Sequence, residues 1–192
     1  MILEFIIPTY NRMNNLSGML FSLINQNNTN WIANVVIDNE HLQMYDDIIT
    51  SFQKEDRIKF SFMGERSNDF GHTPRNYGLK NSSSDWIIMT GDDNYYVPTF
   101  VNEVMNAIDK DVRFIYCDMI HNGYDYKMFN CHHSSHHIDI GNMVMKTELA
   151  KDFELKTNKI DADGIFCNDY INKHCKKEEN IKKINKILYV HN

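Results

Sequence analysis

"WIIMTGDDNYYVP" occupies residues 86–98. Trp86, Ile87, Ile88 and Met89 form an apolar run of the length expected for a buried strand, and it runs into the adjacent acids Asp92 and Asp93. Neighbouring carboxylates repel, so a buried strand that ends on two of them needs a cation, hydrogen bonds or solvent to offset the charge. The pair therefore serves either a divalent cation or a solvated turn, since Asp and the following Asn94 both favour turns.

The flanking chain repeats this layout. Residues 2–7 are nearly all apolar and end at Pro8, which suits a strand buried on both faces. A helix follows, with Asn14 or Asn15 as its cap and with Leu16, Met19, Leu20, Leu23 and Ile24 on one face. Residues 31–37 form a second strand, ending at Asp38; residues 42–52 read as a helix and residues 57–62 as a third strand. Pro74 opens a short helix through Leu79, residues 85–90 are the fourth strand, and Pro98 opens a helix through Ile108. This alternation predicts an α/β fold: a mostly parallel sheet with helices on both faces and right-handed crossovers. In such sheets ligands bind beyond the carboxyl ends of the strands, where Pro8, Thr9, Tyr10, Asp38, Asp92 and Asp93 all fall.

From Val112 the alternation stops. The pattern predicts a strand over residues 112–118, a turn at Asn122-Gly123, a polar stretch through His137 and a strand over residues 138–145. A helix over residues 161–174 and a short strand over residues 187–190 follow. No linker or internal repeat divides the chain, so residues 1–192 are expected to form one domain, with residues 112–192 covering one edge of the site.

Composition narrows the function. A chain of 192 residues can bury roughly 70% of its unfolded surface without disulfides. Its 42% hydrophobic and 24% charged residues are ordinary globular values. The net charge of -6 argues against nucleic acid as a partner, and the lysines between Lys173 and Lys186, interrupted by Glu178 and Glu179, read as a solvated helix face. There is no apolar stretch of membrane-spanning length and no signal-peptide pattern, so a cytoplasmic protein is expected. Cys117, Cys131, Cys167 and Cys175 are irregularly spaced and read as reduced thiols.

"IIPTYNR" (6–12), "VVIDNE" (35–40), "GHTPRNYGLK" (71–80), "GDDNYYVP" (91–98) and "DADGIF" (161–166) occur in the order seen in GT-A glycosyltransferases. In this ordered set the chain resembles the family 2 inverting nucleotide-sugar transferases, most closely their small viral and bacterial single-domain members. The resemblance implies a Rossmann-like GT-A domain, with residues 1–111 as the nucleotide-sugar-binding half and residues 112–192 as the acceptor side. There is no QxxRW-like segment, so a processive polysaccharide synthase is not implied. "LYVHN" (188–192) falls near where such a domain ends, with the chain either complete or the first module of a longer protein.

The resemblance also implies roles. Asp93 would bind Mn²⁺ or Mg²⁺, with Asp92 on a ribose hydroxyl or a metal-bound water; hard cations of this kind prefer oxygen ligands. Pro8, Thr9 and Tyr10 would line the base pocket, with Tyr10 stacking on the base and Asp38 accepting a base N–H; otherwise Tyr10 is a packed aromatic and Asp38 a cap. Arg12 and Arg75 would offset diphosphate charge, Arg75 the more so for its "PRN" setting. Asp163 would be the base that takes the acceptor's proton, with Asp161 capping its helix or serving as the base itself. A helix amino terminus lowers the pKa of such an acid and burial raises it, leaving the balance open.

Gly141 and Asn142, in "HIDIGNMVMK" (137–146), would bring backbone against the donor sugar or acceptor; the glycine otherwise marks a strand bulge. His191 would be a late metal ligand. "CHHSSHH" (131–137) reads as a zinc site, an acceptor-binding loop or a solvated loop, and Cys117 or His121 would be needed to complete a zinc site. Trp31 and Trp86 read as core or rim residues. The expected partners are a nucleotide-diphosphate sugar, UDP favoured over GDP, and a glycan or small hydroxyl acceptor. The alternatives are a GT-A module that binds a nucleotide sugar or glycan without turnover, and a sugar nucleotidyltransferase. The latter needs a Gly-rich amino-terminal loop that "IIPTYNRMNNL" (6–16) lacks.

Overall fold

The computed structural model describes every residue except 135, 136, 157, 158 and 160. Strand β1 (Leu3–Thr9) is buried from end to end and lies between two parallel neighbours, β2 (Trp31–Ile37) and β4 (Trp86–Met89). A strand paired on both edges and covered on both faces has no solvent side, which is why it reads as an unbroken apolar run. Strand β3 (Ile58–Phe62) extends this parallel group beyond β2.

The helices start earlier or later than the sequence suggests. Helix α1 (Met13–Ile24) buries Leu16, Met19, Leu20 and Leu23, but its cap position is Arg12, and Asn14 and Asn15 lie in the first turn. Asn11, at a φ of 54°, turns the chain out of β1 so sharply that the helix begins before either asparagine. Helix α2 (Asp46–Phe52) is preceded by a 3₁₀ turn at Leu42–Tyr45. Helix α3 (His72–Asn81) starts after Gly71, so Pro74 is its third residue, still within the turn that lacks N–H acceptors. Helix α4 (Phe100–Ala107) starts two residues after Pro98.

The remaining strands are β5 (Tyr95–Tyr96), β6 (Phe114–His121), β7 (Lys127–Phe129), β8 (Met143–Lys146) and β9 (Ile181–His191). Helices α5 (Thr147–Ala150) and α6 (Ala162–His174) accompany them. One sheet runs β3-β2-β1-β4-β8-β6-β9-β5, with β7 added to β6. β8 is antiparallel to both β4 and β6, whereas β9 is parallel to β6 and antiparallel to β5.

Three expectations for this half need correction. β9 begins at Ile181 instead of residue 187, because its first residues are mostly lysines and asparagine that carry no strand signal. Lys182, Lys183 and Lys186 therefore lie on a strand and not on a helix face; Lys183 pairs with Asp118 and Lys186 with Glu103. Of residues 138–145 only the last three are strand, since Ile140–Asn142 form a 3₁₀ turn that Asp139 caps. Strands β5 and β7 are two and three residues long, too short to show a period. Trp31 and Trp86 are fully enclosed core residues.

Candidate active site

The carboxyl ends of β1, β2 and β4 open onto a cleft of about 620 Å³. That volume is ordinary for a small-molecule site. Its walls bring together Pro8, Thr9, Tyr10, Arg12, Asp38, Arg75, Asp92 and Asp93, all singled out from the sequence. The stretch between β3 and α3 adds a wall that was not foreseen: Arg66, Asn68, Asp69, Phe70 and Gly71.

Asp92 and Asp93 occupy different environments. Asp92 is 4% exposed and accepts a 2.7 Å hydrogen bond from Thr9 Oγ1. Burial pushes its pKa up to about 6, against the Thr9 hydrogen bond and the Arg12 charge, which pull it down; the Asp93 charge adds to the rise. Asp93 is more open, and Arg12 Nη1 lies 2.5 Å from its Oδ2 and 3.4 Å from Asp92 Oδ1. Arg12 is thus the positive charge that both acids share here.

This donor set fits a divalent cation of the Mg²⁺ or Mn²⁺ type. Two carboxylates, the buried one with a raised pKa, face a cleft with room for phosphate oxygens and water to complete the shell. Among the described residues, no group of three or more His, Cys, Asp or Glu side chains is placed to hold a metal ion by itself. His191 has its Nε2 3.4 Å from Asp139 Oδ2, its Nδ1 3.2 Å from Asn122 Oδ1, and its ring stacked on His121 at 4.2 Å.

The cleft's outer wall is tied to its floor. Asp38 Oδ1 accepts from both the backbone N–H and the hydroxyl of Ser67, each at 2.8 Å. The Arg66 guanidinium lies 3.8 Å from the centre of the Tyr10 ring, a cation–π contact that covers one face of that ring. Asn68, Phe70 and Gly71 all take positive φ. At Gly71 any side chain would be strained, and a Cβ would also lie 2.9 Å from Arg75 Nη1.

Arg75 binds main chain on both sides of the cleft, Nη1 donating to the Phe70 carbonyl at 2.9 Å and Nη2 to the Thr90 carbonyl at 3.1 Å. Its Nε is enclosed without a partner, while the rest of the side chain still lines the cleft. Burial lowers its pKa, opposed by the charges of Asp139, Tyr189, Asp163 and Asp92. Arg75 therefore feels the charge of Asp92 and that of a second acidic group, Asp139 and Asp163.

That second group contains Asp163, in the first turn of α6, whose Oδ1 accepts from the Gly164 N–H at 2.8 Å. Its pKa is raised: burial and the Asp139 charge outweigh the Gly164 N–H and Arg75, so the helix terminus loses to desolvation. Asp161 holds the cap position of α6 but makes no capping hydrogen bond and is exposed. Asp139 was not singled out from the sequence. Its Oδ1 accepts from the Gly141 N–H and from the Tyr189 hydroxyl, both at 2.7 Å. The "DIGN" capping pattern at residues 139–142 gives it away as a cap, though not as a member of the site.

Gly141 and Asn142 are buried behind Asp139. A Cβ on Gly141 would fall 2.2 Å from Tyr189 Oη, so the close approach this glycine permits is to a core tyrosine. Its carbonyl accepts from Tyr96 Oη at 2.6 Å, and Asn142 Nδ2 donates to the Cys117 carbonyl at 2.9 Å. His72, also unforeseen, is buried in the first turn of α3, and burial lowers its pKa.

In the "CHHSSHH" stretch, Cys131 is buried and its N–H donates to Asp118 Oδ1, while His132 and His133 stack at 4.5 Å. His136, part of the zinc reading, lies outside the described residues. All four cysteines are free thiols.

The family model described as "Glycosyl transferase family 2" matches residues 4–178. An uncharacterized glycosyltransferase of Haemophilus influenzae is 26% identical over 131 residues, covering 65% of this chain and 42% of that protein. The S. aureus TarS 1–349 crystal structure aligns with 100% of this chain at a TM-score of 0.79 and 18% identity, and 60% of TarS 1–349 is covered. The mannosyltransferase PcManGT from Pyrobaculum calidifontis, in complex with GDP-Man and Mn²⁺, aligns with 98% of the chain at 0.75 and 15% identity, with 56% of PcManGT covered. At these identities the two structures establish a common GT-A fold: a mixed but mostly parallel sheet flanked by helices. The chain spans less than half of the curated relative and somewhat over half of the solved structures. No helix among the described residues is long and apolar enough to cross a membrane.

Proposed function

The chain belongs to glycosyl transferase family 2, and from that premise we propose that it moves a sugar from a nucleotide-diphosphate sugar to a hydroxyl, with inversion and with help from a divalent cation. The observation that carries this reading is the Asp92–Asp93 pair, one acid buried and one open, in a cleft at the carboxyl ends of β1, β2 and β4. Solved relatives of the same fold add support: TarS 1–349 has been seen with UDP and with UDP-GlcNAc, and PcManGT with GDP-Man and Mn²⁺. UDP is the favoured donor nucleotide and GDP the alternative.

In this reading residues 1–111 hold the donor. Tyr10 offers the base its uncovered ring face, Asp38 accepts a base N–H through the oxygen that Ser67 does not hold, and Pro8 and Thr9 form the pocket floor. Asp93, with Asp92 behind it, would hold Mn²⁺ or Mg²⁺, which when bound supplies positive charge against the departing diphosphate. With a cation bound there, Arg12 would be released from the acids to offset phosphate charge, and Arg75 would add a fixed guanidinium nearby. Residues 112–192 hold the acceptor. Asp163 takes the proton of the attacking hydroxyl, and its raised pKa makes it a stronger base than an ordinary carboxylate. Asp161, exposed and pointing no hydrogen bond at its helix, is the weaker candidate. A single displacement with one carboxylate as base parallels the inverting glycosidases.

The test is to incubate the protein with UDP- and GDP-sugars and simple alcohol acceptors, with and without Mn²⁺, and to read the anomeric configuration of any product by NMR. Cation-dependent nucleotide release with an inverted product supports the reading; a retained configuration, or no release from any donor, refutes it.

A further inference from the structure

We propose that Arg12 is the built-in occupant of the cation position: it holds the Asp92–Asp93 pair in the empty protein, gives way when a divalent cation binds, and so ties cation affinity to the presence of a diphosphate. The inference rests on the reading of these acids as the cation site. A single nitrogen of Arg12, Nη1, reaches both carboxylates, at 2.5 Å from Asp93 Oδ2 and 3.4 Å from Asp92 Oδ1. Among the described residues these are the only hydrogen bonds of its guanidinium. A guanidinium and a divalent cation cannot share that place, because like charges a few ångströms apart repel strongly in a partly buried cleft. Cation binding is therefore an exchange.

The chain around Arg12 suits such an exchange. Its root is fixed: the preceding Asn11 donates its N–H to Tyr45 Oη and accepts from Asn39 Nδ2, both at 2.8 Å, and Tyr45 and Asn39 are buried. Its head is free to turn, since the Arg12 side chain is 55% exposed. Arg75 gives the contrast, with its guanidinium tied to the Phe70 and Thr90 carbonyls and its Nε enclosed. Nor does Arg12 serve its own helix. It stands at the cap position of α1, where the positive end of the helix dipole opposes a cation and no acid in the first turn offsets it. The two acids thus hold the guanidinium where it is, and it lines the same cleft as they do. With the cleft empty, a displaced Arg12 gains only water, and the lost ion pairs weaken cation binding. With a diphosphate in the cleft, the displaced guanidinium has a new anionic partner that its planar set of donors fits. By linkage the effect is reciprocal: diphosphate and cation strengthen each other's binding by the same factor.

The probe is Mn²⁺ alone, titrated into the full chain in mildly alkaline buffer. Water-proton relaxation reads the binding, because it separates Mn²⁺ on the slowly tumbling protein from Mn²⁺ on free nucleotide. Arg12→Gln and Arg12→Met, two neutral replacements checked for folding by circular dichroism, should bind Mn²⁺ at least about threefold more tightly than wild type, the scale on which a part-exposed ion pair resists exchange. Arg12→Lys keeps the charge and should stay within about twofold of wild type. Arg66→Gln removes a cleft charge whose contact is with the Tyr10 ring, and it should also leave Mn²⁺ affinity near that of wild type. Adding UDP or GDP should then tighten Mn²⁺ binding by a larger factor in wild type than in Arg12→Gln. Equal or weaker Mn²⁺ binding by both neutral variants overturns the exchange, and so does a gain of the same size in Arg66→Gln. Mn²⁺ binding by none of the proteins sinks the cation reading itself and the exchange with it. A gain in the neutral variants without binding of either nucleotide keeps the exchange and sinks the donor reading, so the failures are distinct.

Discussion

The two halves of the sheet bring their acids into the site in different ways. In the first half, three adjacent parallel strands each end at the cleft, so Thr9, Asp38 and Asp92–Asp93 converge because their strands run side by side in one direction. On the other side, Asp139 and Asp163 come from a capped 3₁₀ turn and a helix start, placed by β8, which runs antiparallel between β4 and β6, and by β9, which runs parallel to β6. Convergence by topology tolerates change in single residues. Convergence by packing depends on individual contacts such as Gly141 against Tyr189.

If the halves divide donor binding from proton removal, substitutions should divide the same way. The largest effect is expected at Asp163→Asn: kcat falls by roughly 10²–10⁴, the range for loss of a general base, while calorimetry shows donor affinity intact. Next is Asp93→Ala, expected to lower transfer by roughly 10²–10³, the scale for losing one electrostatic contact to developing charge, and to abolish stimulation by Mn²⁺ in a steady-state assay. Should Asp163→Asn instead abolish donor binding, the division between halves fails.

Asp92 sharpens the comparison through pH. Its folded pKa, about 6, is raised above the ordinary carboxylate value of 3.8, so the folded state holds its proton more tightly than the unfolded chain. The stability this gives is full below the ordinary value and is lost as pH rises through about 6. Without metal, urea denaturation should show a loss of about 2–3 kcal/mol across that window. Asp92→Asn should remove that pH dependence. The smallest effect is expected at Gly141→Ala, where the added Cβ must displace Tyr189; overpacking of this kind costs about 1–3 kcal/mol, readable as a lower urea midpoint with donor affinity unchanged.

The same contrast explains what the sequence disclosed. β1, β2 and β4 are apolar runs, each followed by polar residues that line the cleft, so both the fold and the cleft residues are legible in local pattern. The helix starts were misplaced by a few residues, because Asn11 and Gly71 adopt positive φ, which these residue types permit but their local sequence does not require. β9 was read too short because lysines fill the first half of a strand that is held by its pairing with β6 and not by an apolar face. Asp139 escaped notice for a related reason: its place beside Asp163 and Tyr189 depends on contacts fifty residues away in sequence, and only its capping role is local. Arg66 and Ser67 lie in a loop without period, and their contacts with Tyr10 and Asp38 are set by tertiary packing.

The most direct measurement is a calorimetric titration of UDP- and GDP-sugars into wild type, Asp93→Ala and Asp163→Ala, each with and without Mn²⁺. The account predicts one donor that binds wild type and Asp163→Ala only with Mn²⁺ and binds Asp93→Ala far more weakly, with turnover strongly reduced in both variants. Donor binding by Asp93→Ala equal to wild type, or no nucleotide sugar binding to wild type under any condition, would contradict it.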